Sequence, residues 1–203
     1  MPTLEQLQNF GRATALYVWE EELARIVGTG RTTENIGKGD RRSYDQSRLM
    51  PSNLLANIHG AAVEIGVSRL IGAYCYAAVW PKSQHRRYGS TLPDALRTST
   101  EVEIKWRRTA MKMPIDRKDV EADRLVLWAE SKLASTYECD CSPLCQIDEI
   151  RPSTRVRLLG GGYARSLWEV GMTYNDDQNR VAVPTSALLT CEELGLGAAG
   201  WTG

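Results

Sequence analysis

The sequence predicts an α/β (α+β) fold in which a central mixed β-sheet is flanked by helices. Two amphipathic or apolar helical segments come first, several short strands follow, and a short helical segment lies near the end. This order favours a sheet with helices packed on it. The chain has 203 residues, 42% hydrophobic and 25% charged, which is enough for one domain with a substantial core.

The first 50 residues predict an N-terminal helix and a mobile loop. Apolar residues recur at intervals of three and four over 3–27, which is typical of a helix. Residues 28–48, GTGRTTENIGKGDRRSYDQSR, are rich in glycine, threonine and charge, which indicates a loop or linker. The core domain is predicted at 51–195 with a cysteine-containing insertion near 131–153, followed by a frayed tail at 196–203.

Residues 51–80 predict one long helix, because apolar and small residues dominate the segment. Ser52 is a candidate N-cap, and Pro81 is expected to stop the helix. Two strands at 88–97 and 101–107 are expected to form a hairpin around the turn TST.

Further strands are predicted from apolar runs in the second half of the chain. DRLVLWAE (123–130) has a continuous apolar centre that indicates burial on both faces. TRVRLL (154–159) is followed by the breaker GGG. SLWEVGM (166–172) and RVAVP (180–184) are weaker strands, and PTSALLTCEELG (184–195) predicts a short helix with Gly195 at its end.

Charge and cysteine usage indicate a cytoplasmic protein with a local basic region. Net charge is zero, yet residues 82–118 hold ten basic and four acidic side chains, 10 − 4 = +6. Such a region can attract a polyanion even on a neutral protein, although a merely solvated basic surface is the alternative. Five cysteines, an odd number, favour a reducing compartment. Neither a secretory signal nor a membrane span is expected.

The segment PDALRTSTEVEIKW (93–106) contains candidate metal-binding and catalytic residues. Side chains alternate along EVEIKWR, so Glu101, Glu103 and Lys105 share one face of a strand. Asp94 lies nine residues before Glu103, and a hairpin would bring the two carboxylates together. Neighbouring carboxylates attract a cation, and oxygen-only ligands suit Mg²⁺ or Mn²⁺. Lys105 would then orient or help deprotonate a water, or stabilise charge on a phosphate.

This pattern resembles the PD-(D/E)XK nuclease superfamily. The matching residues are Pro93 and Asp94, then Glu103, Ile104 and Lys105, and the spacing is similar to that of phage junction-resolving and restriction-type members. The resemblance covers about residues 52–130.

That resemblance implies a restriction-endonuclease-like sheet and a Mg²⁺- or Mn²⁺-dependent deoxyribonuclease, in the cytoplasm of the host if the chain is phage-encoded. Asp94 and Glu103 would bind metal, Glu64 on the preceding helix would bind it directly or through water, and Lys105 would position the attacking water. DNA is the implied partner, and many relatives dimerise, so a homodimer is a further expectation. Residues expected to hold DNA phosphates are Lys82, Arg86, Arg87, Arg107 and Arg108.

Alternatives stay open for each of these features. An acid stands two residues before a lysine in three places, so DRK (116–118) and ESK (130–132) compete with EIK. The charges on 101–105 also suit an ordinary edge strand, and Glu64 a surface helix. The chain would then be a catalytically degenerate nuclease fold that binds DNA or protein, or a phage structural protein.

The cysteine-rich segment YECDCSPLC has a less specific pattern. Its spacing differs from the usual zinc pairs, so free thiols are favoured over a structural zinc or iron–sulfur site. The residues concerned are Cys139, Cys141 and Cys145. Trp80, Tyr88 and Trp106 are aromatic candidates for stacking on bases, but Trp106 lies on the apolar face of its strand and is expected in the core.

Overall fold

Two sheets and four helices make up the described part of the chain. The computed structural model describes residues 13–38, 50–76, 92–106, 112–133, 154–174 and 177–196. The helices are α1 (Val18–Lys38), α2 (Met50–Ile71), α3 (Arg117–Glu121) and α4 (Ala164–Val170). The strands are β1 (Ala13–Ala15), β2 (Tyr74–Cys75), β3 (Ala95–Arg97), β4 (Thr100–Trp106), β5 (Lys112–Asp116), β6 (Leu125–Lys132), β7 (Arg155–Tyr163), β8 (Met172–Tyr174) and β9 (Asp177–Pro184).

The larger sheet is mixed and has the strand order β1-β7-β6-β4-β3-β2. Strands β4 and β6 pair in parallel, and the other pairs of this sheet are antiparallel. The connection between the parallel strands contains β5 and α3, and β5 joins a second sheet of order β5-β9-β8. The predicted α/β fold, a mixed sheet flanked by helices, is therefore confirmed.

Strand β6 lies between two hydrophobic cores. Leu125, Leu127 and Ala129 pack in a core with α1 and α2, whereas Val126 and Trp128 pack in a second core with β5, β9 and α4. A strand buried on both faces reads as a continuous apolar run. The predicted burial of this strand is confirmed.

Helix α1 includes a segment that was expected to be a loop. The predicted loop at 28–48 is wrong up to Lys38, where α1 ends. The predicted helix at 3–27 is wrong at Ala13–Ala15, which form β1, and α1 begins only at Val18. A side chain on Gly28 would collide with the backbone of Ile58, so this glycine permits close contact between α1 and α2. The Thr32 hydroxyl donates to the Gly28 carbonyl and accepts from the Asn57 amide. Contact with α2 therefore makes this polar segment helical.

Helix α2 ends nine residues earlier than the sequence predicted, at Ile71 instead of residue 80. Gly72 has a φ of 66°, its N–H donates to the Arg69 carbonyl, and the Ala73 N–H donates to the Ser68 carbonyl. This is the Schellman arrangement that ends a helix at a left-handed glycine. The segment Leu54–Ile71 is long and apolar enough to cross a membrane, but it is mostly buried, as in the core helix of a globular protein.

The β3–β4 hairpin forms around Thr98 and Ser99, as expected, with Ala95 opposite Val102 and Arg97 opposite Thr100. Val102 and Ile104 point into the core beneath α2. Glu103 and Lys105 alternate with these residues and lie on the opposite face of the sheet. On that face they are next to Val126 and Trp128 of β6, which pack in the second core. The hairpin thus presents its charges toward β5 and α3.

Four predictions for the C-terminal part are wrong. The glycines at 160–162 do not end the strand, because β7 continues to Tyr163 and pairs with β6 through a register shift. Residues 166–172 are mostly helix α4, because Ala164 and Leu167 bury one helical face in the second core. The helix expected at 184–195 is replaced by a short 3₁₀ helix, Thr185–Ala187, and turns, since the Leu189 backbone pairs with Gly161. Leu196, expected in a frayed tail, is buried in the main core.

Gly161→Ala is expected to destabilise the protein by about 2–3 kcal/mol, because its Cβ would lie 2.2 Å from the Val126 carbonyl oxygen. Gly60→Ala is the control, since a Cβ there meets nothing within 4 Å. The control should gain up to about 1 kcal/mol from higher helix propensity. Urea unfolding followed by circular dichroism measures both changes, and equal stability of the two variants would contradict the packing described for β7.

Candidate functional site

The four predicted catalytic residues lie around the β3–β4 hairpin. Glu64 is on α2, Asp94 directly precedes β3, and Glu103 and Lys105 are on β4. Extending the register by one residue from the Ala95–Val102 pair places Asp94 opposite Glu103. We call Glu64, Asp94, Glu103 and Lys105 the carboxylate site. The predicted phosphate-binding residues Lys82, Arg86, Arg87, Arg107 and Arg108 lie outside the described residues, as do Cys139, Cys141, Cys145, Trp80 and Tyr88.

Asp94 is hydrogen-bonded to strand β4 and to the residue that follows strand β2. Its Oδ2 accepts a hydrogen bond of 2.7 Å from the Ile104 N–H, and its carbonyl accepts one of 2.8 Å from the Tyr76 N–H. Burial raises the pKa of Asp94 well above its usual value, and the charges of Glu64 and Glu103 raise it further. Asp94 has no ion-pair partner among the described residues. The carboxyl group is therefore a partly buried acid with insufficient counter-charge.

Glu64 is held by an arginine that the sequence reading placed in a loop. The Arg31 guanidinium donates to both oxygens of Glu64, at 2.6 and 2.7 Å. Burial lowers the pKa of Arg31, but Glu64 and then Asp94 outweigh this effect, so the net direction is upward. A bidentate arginine–carboxylate pair fixes the orientation of the carboxylate. Because Arg31 reaches Glu64 only through the contact between α1 and α2, no local sequence signal identifies it.

Lys105 lies among three carboxylates. Its Nζ is 2.6 Å from Glu103 Oε1 and 3.4 Å from both Asp116 Oδ2 and Asp119 Oδ2. Burial lowers the pKa of Lys105, but Glu103, Asp119 and Asp116 raise it by more. For the Glu103 carboxylate, burial acts in the other direction and raises the pKa. The charges of Lys105 and Lys118 outweigh burial and bring the pKa of Glu103 below its usual value. The side chains of Lys105 and Glu103 therefore carry opposite charges near neutral pH.

Arg124 and Asp119 anchor these charges from the interior. Both side chains are fully buried, and Arg124 Nη1 donates to Asp119 Oδ1 at 3.1 Å. Arg124 also donates to Glu101 at 2.9 Å and to Glu103 at 3.5 Å. Sequence reasoning missed Asp119 and Arg124, although the charge-rich DRKDVEADR (116–124), between two strands, was a usable signal.

The competing triplets occupy different places in the structure. Asp116 and Lys118 of DRK lie against the carboxylate site, with Lys118 Nζ 3.8 Å from Glu103 Oε1. Glu130 of ESK instead pairs with Arg157 of β7 at 2.5 Å. Thus DRK is a spatial neighbour of EIK, whereas ESK belongs to the pairing of β6 with β7.

Trp106 is part of the structural core, as expected. It packs against the main core and stacks on His59, with ring centroids 4.7 Å apart and planes at 10°. His59 Nδ1 is 2.6 Å from Ser131 Oγ, so the histidine ring is held from two sides. These contacts join α2 to the ends of β4 and β6 and leave the indole packed against protein.

A divalent cation fits the carboxylate site by ligand chemistry, since three carboxylates provide the oxygen ligands that Mg²⁺ and Mn²⁺ prefer. A cation bound there would offset the burial and the repulsion by Glu64 and Glu103 that raise the pKa of Asp94. In the described parts of the chain, however, no three His, Cys, Asp or Glu residues are grouped to hold a metal ion. Glu64 faces Arg31 and Glu103 faces Lys105, so binding would require both carboxylates to turn toward Asp94.

Comparisons of this chain with protein-family models, with curated proteins and with solved structures found no match. The functional interpretation therefore depends on the residues and contacts described above.

Arg31→Ala is expected to destabilise the protein by about 3 kcal/mol, because it leaves the buried Glu64 carboxylate without its partner, near Asp94. Arg157→Ala is a matched control, since the two arginine side chains are similarly exposed, 25% and 23%. The control should lose about 1 kcal/mol or less, because its partner Glu130 is more exposed. Urea unfolding without divalent ions measures the difference, and equal losses would show that Glu64 is not specially dependent on Arg31.

Proposed function

We propose that this protein is a divalent-metal-dependent DNA nuclease of the PD-(D/E)XK type, acting in the cytoplasm. One observation carries the proposal: the hairpin register brings Asp94 beside Glu103, on the strand that also carries Lys105, and Asp94 lies near the helical Glu64. A chance triplet has no reason to have an acid in register beside it and a second acid near enough, on a helix, to raise the pKa of the first. Nearby DRK and distant ESK lack this combination.

In the proposed reaction, Glu64, Asp94 and Glu103 would hold Mg²⁺ or Mn²⁺. When bound, such an ion makes a hydroxide nucleophile accessible and offsets charge on the phosphate. Lys105 would donate hydrogen bonds to the attacking water or to the phosphate, since its ammonium group is held in the charged form by its carboxylate neighbours. Asp119 and Arg124 would keep Lys105 and Glu103 in position.

The alternative is a nuclease-like fold that binds DNA or a protein partner without cutting, such as a phage structural protein. A specific observation favours this alternative: Glu64 and Glu103 already have cationic partners within the protein. In such a protein, the carboxylate site would be a structural ion cluster. Cleavage and stability measurements on the same variants separate the two functions.

Cleavage is expected on plasmid, linear or branched DNA in Mg²⁺ or Mn²⁺ and not in EDTA. Asp94→Asn should abolish it, and Lys105→Met should lower the rate by about 10²-fold or more, through loss of a group that stabilises the transition state. Glu130→Gln, in the ESK triplet, is the control and should cut like wild type, because Glu130 contacts Arg157 instead. Gel assays of purified proteins measure the products; no cleavage by wild type, or equal cleavage by Asp94→Asn, would contradict catalysis at this site.

Asp94→Asn is also expected to be more stable than wild type in EDTA, by about 0.5–2 kcal/mol. The amide stays neutral, whereas ionisation of Asp94 is opposed by burial and by Glu64 and Glu103, and the amide oxygen can still accept the Ile104 N–H. Urea unfolding measures this change. A variant that is clearly less stable than wild type would identify Asp94 as a structural residue and favour the non-catalytic alternative.

A further inference from the structure

The triplets DRK and EIK pair with each other where the end of β5 and the start of α3 face β4. Lys105 of EIK lies 3.4 Å from Asp116 of DRK, and Lys118 of DRK lies 3.8 Å from Glu103 of EIK. Each lysine therefore faces the acid of the other triplet. The resemblance in sequence assigns a role to EIK and none to DRK, so the purpose of Lys118 beside Glu103 is unexplained by the proposed reaction.

The two lysines differ in what they can offer a substrate. The Lys105 side chain is 15% exposed and lies within 3.4 Å of three carboxylates. The Lys118 side chain is 42% exposed, and its ammonium group reaches the edge of the site at Glu103. The contact of 3.8 Å is longer than a direct hydrogen bond, and water reaches the ammonium group of Lys118 although Glu103 is buried. Lys118 can therefore exchange Glu103 for another anion, whereas Lys105 is held in place.

We propose that Lys118 contacts a phosphate of the DNA backbone next to the carboxylate site. This inference rests on the proposed function and adds a substrate contact from α3, an element that supplies none of the four predicted catalytic residues. A lysine that neutralises one phosphate releases counterions and adds about one to the dependence of affinity on salt. Arg117, the preceding residue, is the matched control: it is also exposed and basic, but its contact is with Glu121 on α3 and not with a residue of the carboxylate site.

The experiment measures DNA binding by full-length Asp94→Asn protein, which is expected not to cut. Fluorescence anisotropy with a labelled duplex and a labelled branched DNA gives Kd over a range of KCl concentrations. Adding Lys118→Ala should reduce the slope of log Kd against log [KCl] by about 1, on whichever DNA the parent binds. Adding Arg117→Ala should leave the slope unchanged, and Lys118→Arg should restore it.

Each result bears on a definite claim. A Lys118→Ala slope equal to that of the parent, or the same loss with Arg117→Ala, overturns the contact while leaving the nuclease proposal intact. Absence of DNA binding by both wild type and the parent at low salt overturns the nuclease proposal and the Lys118 contact together. Circular dichroism melts confirm that the Lys118→Ala and Arg117→Ala proteins are folded.

Discussion

The ion pair between Asp119 and Arg124 is the constraint on which the charged half of this protein depends. Arg124 lies directly before β6, its backbone N–H donates to the Asp119 carbonyl, and its own carbonyl accepts from the Ala164 N–H at the start of α4. Its side chain reaches Glu101 and Glu103 of β4. The single buried residue Arg124 thus joins α3 to strands β4 and β6 and to helix α4. Burying such charges is costly unless each is paired, so the geometry of the whole group is restricted.

This arrangement explains why the carboxylate site has a buried side and an accessible side. On the buried side, Asp119 and Arg124 hold Glu103 and Lys105 through contacts that exclude water. On the other side, Lys118 extends from the same short helix toward solvent. Residues adjacent in a helix point about 100° apart, which allows neighbours to take such different positions. Helix α3 therefore provides both an internal anchor and an exposed cation within two residues.

Local patterns predicted much of the site and little of its surroundings. The spacing of nine residues between Asp94 and Glu103 correctly predicted that the two residues lie opposite each other, because a tight hairpin fixes its own register. The side-chain alternation of β4 was also local information. Arg31 was not identified, because its partner Glu64 is distant in sequence and becomes a neighbour only when the two helices pack. Arg124 was missed although the charged segment around it was a usable signal. Two glycines were misinterpreted in opposite ways. The predicted helix continued through Gly72, which in fact ends it, and the predicted strand ended at the GGG segment, although Gly161 lies within the strand.

Strand β6 has a consequence for how the protein unfolds. Its residues alternate between the core under α2 and the core against β9, so neither core can lose its packing while the other keeps all of its contacts. Elements that share a central strand belong to one cooperative unit. We therefore expect the two sheets to exchange their amide hydrogens through a common opening, with β6 among the last segments to be released.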